Sequence, residues 1–477
     1  MKMKKIIWSA VAFFLLTTLV NAQTIEDALR FTKSNGYISP RAAGLGVSFH
    51  GICDDVAALA YNPAGLSLIG KTELSFGFGF TNFSTETNFL NQTTPFNSND
   101  EYITHFGFAV PFDTKQGNGA VGLAYFLENN FNNNMKYEAF NPFSTMTNYY
   151  SVFGTRIREN NLAYELFLTD TNLNSPITDS LQQKAFLQES GGLHNIVGGV
   201  SFDLSEYVSL GVALQGKWGT YNYKRNYSER DIYNKYNYFD DVYWTNIDFN
   251  RLEVDERIEQ KITGISGSIG IQARFEDLLR FGANIRFPTF YEVEDVSDIY
   301  AQSYFDNGDH YLFEKDYQSS YKLRTPFVYS AGVSFHALDL TFAFGVEYKD
   351  VTQLKFSDAI RDIENLNTTI IQELVGQTTW GFGIEYEIPY APILARASFS
   401  STTSPYVFDI PGASFQTASL GGGIYVAPNI RLDAIFRWSS VSEMRTNYGN
   451  SSDPETFSRY TFKNNPLDIG LQFTYRY

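Results

Sequence analysis

The chain has 477 residues, with 36 Lys and Arg against 52 Asp and Glu, which gives a formal net charge of −16. This excess of acid argues against a nucleic-acid-binding protein, because phosphates require a basic surface. Aromatic residues make up 17% of the chain, so it can bury a large apolar surface and wholesale disorder is excluded. The single Cys excludes an internal disulfide framework and a cysteine-based zinc site.

The first residues have the pattern of a secretory signal peptide. Basic residues precede an apolar stretch, Ile6–Val20, which is followed by the small-residue pattern ending at Ala22. The stretch is short for a membrane helix, and no Cys stands at the cleavage point to direct lipoprotein processing. We therefore predict a signal peptide over residues 1–22, a mature chain that starts near Gln23, and export from the cytoplasm. The basic residues are Lys2, Lys4 and Lys5.

The C-terminal residues alternate as a β-strand does. Polar side chains such as Asp468, Gln472 and Arg476 occupy one face, and apolar or aromatic side chains occupy the other. In a soluble barrel or sandwich the polar face would meet water, whereas in an outer-membrane barrel the apolar face meets lipid. The signal peptide and the aromatic chain end favour the membrane barrel, and they predict a location in the cell outer membrane of a Gram-negative bacterium. We expect the barrel-assembly machinery to contact the side chains of Phe473, Tyr475 and Tyr477.

The same alternation recurs along the chain and predicts 14 antiparallel strands, an even number as single-chain bacterial barrels require. The connections alternate between short turns, such as 389–391, and long loops, such as 128–192 and 221–257. Short turns at one end and long loops at the other are typical of outer-membrane barrels. The predicted strands are 72–83, 101–112, 117–127, 193–204, 207–220, 258–275, 278–289, 321–336, 339–349, 377–388, 392–401, 414–426, 429–440 and 467–477.

The segment before the first strand lacks this alternation. Residues 24–31 predict a short helix with a Thr cap and early acidic residues, and 54–60 predict a second one that ends before Pro63. A compact helical segment of this size suits a hatch inside the barrel lumen, although a small periplasmic appendage is the alternative. We predict a small N-terminal helical hatch over residues 23–71 and a transmembrane β-barrel over residues 72–477.

The run Arg-Ala-Ala-Gly-Leu-Gly, followed by Asp-Asp and by Asn-Pro-Ala-Gly-Leu, resembles the FadL/TodX family of outer-membrane transporters for long-chain fatty acids and aromatic hydrocarbons. Residues 24–38 resemble its Bacteroidetes-type branch. The resemblance implies a 14-stranded barrel plugged by an N-terminal hatch, with the Asn-Pro-Ala motif in the hatch. The hatch and transport residues it implies are Arg41, Gly44, Gly46, Asp54, Asp55, Asn62, Pro63, Ala64 and Gly65.

The resemblance also implies a kink in the third strand that opens a lateral hole in the barrel wall. The third predicted strand carries Gly117, Gly119 and Gly122, which could permit such a kink. The residues that bind the ligand have no local motif in the family, so they do not carry over to this chain.

Nothing in the sequence points to an enzyme, a metal site or a cofactor. The five His are scattered, and no His-Glu-x-x-His motif is present. Charged residues of both signs fall on strand faces that should line the lumen. They predict a salt-bridge network that anchors the hatch or, alternatively, a site for an anionic head group. These residues are Arg280, Arg286, Arg396, Arg431, Arg437, Glu385, Glu387 and Asp433.

The sequence therefore predicts an outer-membrane channel for the passive uptake of hydrophobic small molecules, long-chain fatty acids or aromatic hydrocarbons, through a hatch-plugged barrel. Its expected partners are that ligand and the lipids of the outer membrane, and nucleic acid is not among them. The alternative is a FadL-like barrel that acts as a docking or shuttle component in protein secretion or surface attachment, with protein partners.

Overall fold

The structure is a computed structural model that describes residues 25–33, 38–115, 117–153, 158, 161–240, 245–276, 278–410, 413–449 and 457–477. The predicted signal peptide, residues 1–22, lies outside the described residues. Within them, the chain forms a closed antiparallel β-barrel whose wall has 14 strands, which confirms the predicted count. The first and last strands close the barrel, with pairing from Glu73↔Arg476 to Asn82↔Leu467.

Four of the 14 wall strands are interrupted once, so each of these four consists of two segments. The strands are β1 (Glu73–Phe89), β2 (Gln92–Thr114), β3 (Gly117–Asn130, then Asn133–Asn141), β4 (Leu181–Ser205), β5 (Val208–Arg230), β6 (Thr245–Phe275), β7 (Leu279–Arg286, then Phe290–Phe305), β8 (His310–Arg324, then Val328–Ala337), β9 (Leu340–Lys349), β10 (Gln377–Glu387), β11 (Ile393–Thr402), β12 (Phe415–Ala427), β13 (Ile430–Tyr448) and β14 (Ser458–Asn464, then Leu467–Arg476). Two short strands, Asn237–Asp240 and Lys355–Ser357, lie outside the wall.

The wall alternates between an apolar outer face and a polar inner face. On β14, Leu471 is 58% exposed on the outside whereas its neighbour Gln472 is buried inside. On β5, Leu214 points outward and is 73% exposed, and Gln215 points inward and is buried. An apolar band facing outward is what contact with lipid requires, and a polar interior is typical of outer-membrane barrels.

The two ends of the barrel differ. At one end, here called the short-turn end, consecutive strands are joined by tight turns such as 338–339 and 428–429. At the other, the extended end, several strands continue beyond the apolar band. Residues 84–100, predicted as a loop, belong to a hairpin of β1 and β2 that turns at Leu90 and Asn91, both with positive φ. The sequence analysis did not predict residues 84–100 as strand, because strands outside the membrane need no apolar face and so need not alternate apolar with polar residues.

Short helices precede the first strand. They are α1 (Ile25–Arg30), α2 (Pro40–Leu45) and α3 (Ala58–Tyr61), with 3-10 helices at Gly46–Gly51 and Pro63–Leu68. The predicted second helix starts later than expected, because Asp55 accepts a hydrogen bond from the backbone of Ala57 and holds residues 55–57 as a turn before α3. Residues 25–69 are called the N-terminal segment below.

Three further helices lie in the connections of the extended end. They are α4 (Met146–Phe153), α5 (Leu162–Glu165) and α6 (Arg361–Glu373). None of the helices in the described part of the chain has the length and apolar character needed to cross a membrane.

Candidate functional site

Close contact, mostly between backbones and at Gly270 with the Asn62 side chain, joins the N-terminal segment to the inner face of the wall. Glycines on six consecutive strands, β5 to β10, leave room for it, because a Cβ at these positions would overlap atoms of residues 45–51 or 62–64. At Gly345, for example, a Cβ would overlap the carbonyl oxygen of Val47. The glycine belt is Gly211, Gly270, Gly282, Gly332, Gly345 and Gly383. Only glycine permits so close an approach of two backbones.

Arg41 is the centre of an ion-pair network between the segment and the wall. Its guanidinium lies 2.5 Å from Asp54 and 2.9 Å from Asp55, both in the segment, and 3.3 Å from Glu385 on β10. Asp54 also contacts Arg280 on β7 at 3.4 Å. Burial alone would lower the pKa of Arg41, but the surrounding carboxylates outweigh it and raise the pKa well above its usual range. Burial alone would raise the pKa of Asp54, but Arg41 and Arg280 hold it well below its usual range.

The network continues along the wall. Arg396 on β11 pairs with Glu385 and, at 2.5 Å, with Asp433 on β13. Asp433 also accepts from Arg431 at 2.8 Å. The connected and adjoining pairs contain as many arginines as carboxylates, so their formal charges cancel. Members are Arg41, Arg280, Arg396, Arg431, Arg476, Asp54, Asp55, Glu73, Glu385 and Asp433. Buried charges are tolerated when they are paired in this way.

The predicted lumen-facing charges have three different surroundings. Arg280, Arg396, Arg431 and Arg437 are all held by carboxylates, Arg437 by Asp468 at 2.7 Å. Arg286 differs, because it forms no ion pair or hydrogen bond within the described part of the chain. Glu387 is exposed at the short-turn end.

Asn62 fixes the Asn-Pro-Ala motif to the wall. Its amide nitrogen donates to the carbonyl of Ile271 at 3.0 Å and to the side chain of Gln272 at 3.1 Å, both on β6. Its amide oxygen accepts from the backbone of Ala64 and so caps the 3-10 helix that begins at Pro63. Proline suits this first position because its missing N–H needs no partner there.

The three glycines of the sequence motifs have different surroundings. Gly65 lies so close to Cys53 that a Cβ would overlap its backbone carbonyl. Gly46 ends α2 with a φ of 59°, in the left-handed region that favours glycine. At Gly44 a Cβ would be in ordinary contact, 3.5 Å from Arg396.

A cavity of about 1610 Å³ lies between the N-terminal segment and the extended end. Its floor includes His50, Tyr61, Arg286, Glu347 and Lys349. The His50 ring lies 3.8 Å from the Glu347 carboxylate and packs edge-on against Tyr61. Tyrosines and apolar side chains form much of the wall above this polar floor, among them Phe131, Tyr149, Tyr221, Tyr223, Tyr317 and Phe462. The cavity can thus enclose a largely apolar ligand and offer it a few polar groups at one end.

Beside the cavity the pairing between β2 and β3 is interrupted, and this interruption is called the gap below. Pairing between these strands runs from Thr114↔Gly117 only as far as His105↔Phe126. Beyond that point, no described residue of β3 pairs with residues 92–104 of β2. The gap starts beside Ile103, the last large apolar side chain that β2 exposes on its outer face.

The outer part of β3 has turned into the lumen. The hydroxyl of Thr85 on β1 donates to the carbonyl of Asn134 at 2.9 Å, and Tyr137 packs against Phe89 with a centroid distance of 4.7 Å. The Tyr137 hydroxyl donates to Asn447 on β13 at 2.6 Å. Asn130 spans the gap by donating to Asp100 at 2.6 Å. The cavity lining includes Tyr102 and residues 129–133, so the cavity reaches the gap.

Gly117, Gly119 and Gly122 lie in the part of β3 that pairs regularly with both neighbours. The strand leaves the wall several residues later, where its register with β4 shifts between Leu127 and Asn129. The sequence contains one signal for this departure that the sequence analysis missed. The polar run Asn129–Asn133, interrupted only by Phe131, does not continue the apolar alternation, and Asn disfavours β-strands.

Comparison with solved structures identifies this architecture. A crystal structure of a Pseudomonas aeruginosa FadL homologue superimposes with a TM-score of 0.57 and 14% identity, over 91% of this chain and 97% of that one. The Pseudomonas putida toluene transporter TodX gives 0.57 and 11%, over 93% and 99%. The chain has the fold of the FadL and TodX barrels.

The Ralstonia pickettii toluene transporter TbuX is a further match, with a TM-score of 0.51 and 12% identity over 94% of this chain and 100% of that one. No protein-family model matches the sequence, and no curated protein matches it. At these identities the FadL and TodX likeness extends to the fold, and the function has to be argued from the site itself.

Proposed function

We propose that this chain is a FadL/TodX-type channel of the outer membrane that takes up hydrophobic small molecules passively. The observation that carries the proposal is the cavity described above, with its aromatic wall, its polar floor and the gap at its side. The extended end would face outward and the short-turn end the periplasm, as in other outer-membrane barrels. The toluene transporters with the same fold support this class of ligand.

The N-terminal segment would be the hatch. Arg41, Asp54 and Asp55 would anchor it through the ion network, and Asn62, Pro63 and Ala64 through β6. Breaking one buried ion pair costs about 3–5 kcal/mol. A route straight through the floor would have to break several pairs and lift the glycine-belt contacts as well, which makes it the costlier exit.

The gap offers the cheaper exit. A ligand would enter from the extended end, rest against the aromatic wall of the cavity, and leave between β2 and β3. Because the gap begins where the outward apolar band ends, the ligand would reach the lipid at the boundary of the membrane and avoid the polar floor.

A reversible cross-link across the gap tests the route. Asp100→Cys with Asn130→Cys replaces a side-chain hydrogen bond of 2.6 Å by a disulfide, and the native Cys53 is buried. Uptake of a radiolabelled fatty acid or of toluene by cells carrying this variant should fall when the cysteines are oxidised and recover on reduction.

The matched control is Asn82→Cys with Asn99→Cys, which joins two residues already paired between β1 and β2. Oxidation of the control should leave uptake unchanged. Equal uptake by both oxidised variants would refute the lateral route. Absence of uptake in the wild type for every hydrophobic compound tried would refute the channel itself.

A further inference from the structure

Three aromatic side chains lie together on the outer face of the barrel, where the apolar band ends towards the extended end. They are Tyr125 on β3, His194 on β4 and Trp218 on β5, and all three point outward. The Tyr125 hydroxyl shares a hydrogen bond of 2.8 Å with His194 Nδ1, and the His194 ring stacks on the Trp218 ring at a centroid distance of 5.7 Å. The rings form a continuous surface across three neighbouring strands, called the aromatic strip below.

The aromatic strip has hydrogen-bonding groups that the protein does not use. Among the described residues, neither His194 Nε2 nor the indole N–H of Trp218 has a hydrogen-bond partner. The Nε2 atom lies 3.9 Å from the point where a Cβ of Gly192 would stand, so the missing side chain leaves room beside this nitrogen. Polar atoms of aromatic side chains at a membrane border usually find a partner. These nitrogens can therefore bind a polar group from outside the protein.

Two rows of mostly polar positions continue the outer face beyond the aromatic strip. They offer hydroxyl groups, an amide, an ammonium group and a carboxylate. Lys261 stands opposite Glu294 of β7 in the sheet, and it forms no ion pair within the described part of the chain. Because these rows have no positive excess, they suit the hydroxyl groups of a sugar better than a phosphate. The first row is Gly192, Thr220 and Lys261, and the second is Ser190, Asn222 and Glu259.

An apolar hollow adjoins the aromatic strip on its other side, within the apolar band. Glycine occupies alternate positions of its two rows, so the large side chains between the glycines have little cover. Leu214 is 73% exposed and Ile265 is 63% exposed. Acyl chains can lie in such a hollow and contact the apolar side chains around it. One row is Ile196, Gly216 and Ile265, and the next is Gly198, Leu214 and Gly267.

We propose that this surface binds a glycolipid of the outer leaflet, with its sugar head group on the aromatic strip and its acyl chains in the apolar hollow. The faces of the His194 and Trp218 rings can pack against the apolar face of a sugar ring. Their free nitrogens and the polar rows can bind its hydroxyl groups. The inference rests on the proposed orientation, in which the extended end faces outward, and it does not rest on transport.

An ordinary aromatic belt lacks this combination of groups. Aromatic side chains are common where the apolar band of an outer-membrane barrel ends. Trp380 on β10 is an example, because it is 41% exposed, much like Trp218 at 42%, but its neighbours across the sheet are Val346 and Ser401. The aromatic strip differs by its hydrogen-bonded His and by the charged row beside it. Trp380 therefore provides a matched control.

The experiment measures lipid binding to the full-length protein by native mass spectrometry in a mild detergent. The probe is lipid A, an acylated glucosamine disaccharide, and the reference is phosphatidylglycerol, an anionic lipid without a sugar. Lipid A should bind at least roughly tenfold more tightly than phosphatidylglycerol. Equal binding of the two would overturn the proposal, because acyl chains and charge alone would explain it.

Two double variants locate the site. Trp218→Ala with His194→Ala should weaken the binding of lipid A by roughly tenfold or more, because it removes two rings and their free nitrogens. The control, Trp380→Ala with Tyr348→Ala, removes two outward aromatic side chains of similar exposure from β10 and β9. The control should bind lipid A as the wild type does. An equal loss in both variants would show an ordinary aromatic belt and overturn the site.

A second pair of variants tests the polar rows without changing the rings. Lys261→Ala with Glu259→Ala removes one charge of each sign from exposed positions, so the net charge stays the same. The binding of lipid A should weaken by roughly fivefold, because hydrogen bonds to the sugar are lost. The control, Lys224→Ala with Glu253→Ala, makes the same change farther towards the extended end. Equal binding by the two variants would overturn the sugar as the group that is bound.

Competition separates this site from the transport route. An excess of palmitate or of toluene should leave lipid A bound, because the aromatic strip is not part of the cavity lining. Displacement of lipid A by either compound would assign the strip to the transported ligand and overturn the proposal. Since uptake is not measured, a negative result here leaves the proposed channel standing, and a protein without uptake can still bind lipid A.

Discussion

At the scale of single residues, the glycine belt makes a sharp prediction. Gly345→Ala places a Cβ against the backbone of Val47 and Ser48, neither of which can move as a side chain could. Overpacking of this kind costs typically about 1–3 kcal/mol, so the contact between the N-terminal segment and the wall should weaken. Limited proteolysis of the purified protein should cut the segment faster than in the wild type.

The control for this variant is Gly198→Ala, on β4. A Cβ there would be in ordinary contact, 3.6 Å from Leu123. Its cleavage rate should match the wild type. A segment that remains equally protected in both variants would contradict the idea that close backbone approach holds it.

The lowered pKa of Asp54 predicts that the stability of the folded protein depends on pH. Its pKa is lowered in the folded protein by Arg41 and Arg280, from an ordinary value of 3.8. A carboxylate with a depressed folded pKa stabilises the fold above its unfolded pKa and loses this contribution as the pH falls below about 4. Asp54→Asn should therefore lower the free energy of unfolding in urea by about 2 kcal/mol at pH 7. The difference from the wild type should shrink as the pH is taken from 4 towards 2, and a difference that stays constant would contradict the assignment.

Arg286 predicts which ligands depend on the polar floor. It lines the cavity near the Glu347 carboxylate, and its guanidinium forms no hydrogen bond or close ion pair in the described part of the chain, so its donors can bind a ligand carboxylate. Arg286→Leu should weaken the binding of a long-chain fatty acid to the purified protein by roughly tenfold, and leave the binding of toluene unchanged. Isothermal titration with both ligands checks this, and equal effects on the two would contradict it.

At the scale of whole elements, the sequence predicted the strands whose outer face contacts lipid. All 14 strands follow from alternation, because lipid requires an apolar outer face, as Leu467, Leu471 and Phe473 show on β14. The strand extensions did not follow, because outside the lipid both faces of residues 84–100 can be polar. The resemblance implied a hole at the third strand, but neither the cavity nor the point at which β3 leaves the wall followed from the residues, since both depend on contacts between residues as distant in sequence as Tyr137 and Asn447.

Because the outer part of β3 turns into the lumen around Tyr137, we predict that replacing this residue has a local effect on the structure. This side chain is fully buried, stacks near Phe89 and Tyr460, and donates to Asn447. Tyr137→Ala should cost roughly 3 kcal/mol and release residues 133–141 from the lumen. Hydrogen exchange should accelerate in those residues, while β2 and β5 keep their protection. Tyr329→Ala, which removes an outward tyrosine from β8, should leave exchange in residues 133–141 unchanged.

At the scale of the whole molecule, the arrangement predicts a barrel that can stand without its N-terminal segment. The pairs Arg396–Asp433, Arg431–Asp433 and Arg476–Glu73 lie entirely within the wall, so they survive removal of the segment. A variant lacking residues 23–66 should therefore still fold as a barrel, with the floor of the cavity gone. In planar lipid bilayers it should conduct ions steadily, whereas the full-length chain should not.

The expected difference in ion conductance between the shortened and the full-length chain follows from the position of the ion-pair network. Arg41 and Asp54 pair with Glu385 and Arg280 of the wall, close in sequence to Gly383 and Gly282 of the glycine belt, so the segment would obstruct an aqueous path at this level if it is the hatch that we propose. The gap between β2 and β3 begins at the edge of the outward apolar band and lies on the extended side of the ion network, so it would give an ion no path across the membrane. A small hydrophobic molecule that reached the edge of the band could enter the lipid there, which an ion would not do. A steady ionic current through the full-length protein, equal to that of the shortened variant, would show that the segment does not close the lumen, and the lateral gap would then lose its role as the favoured exit.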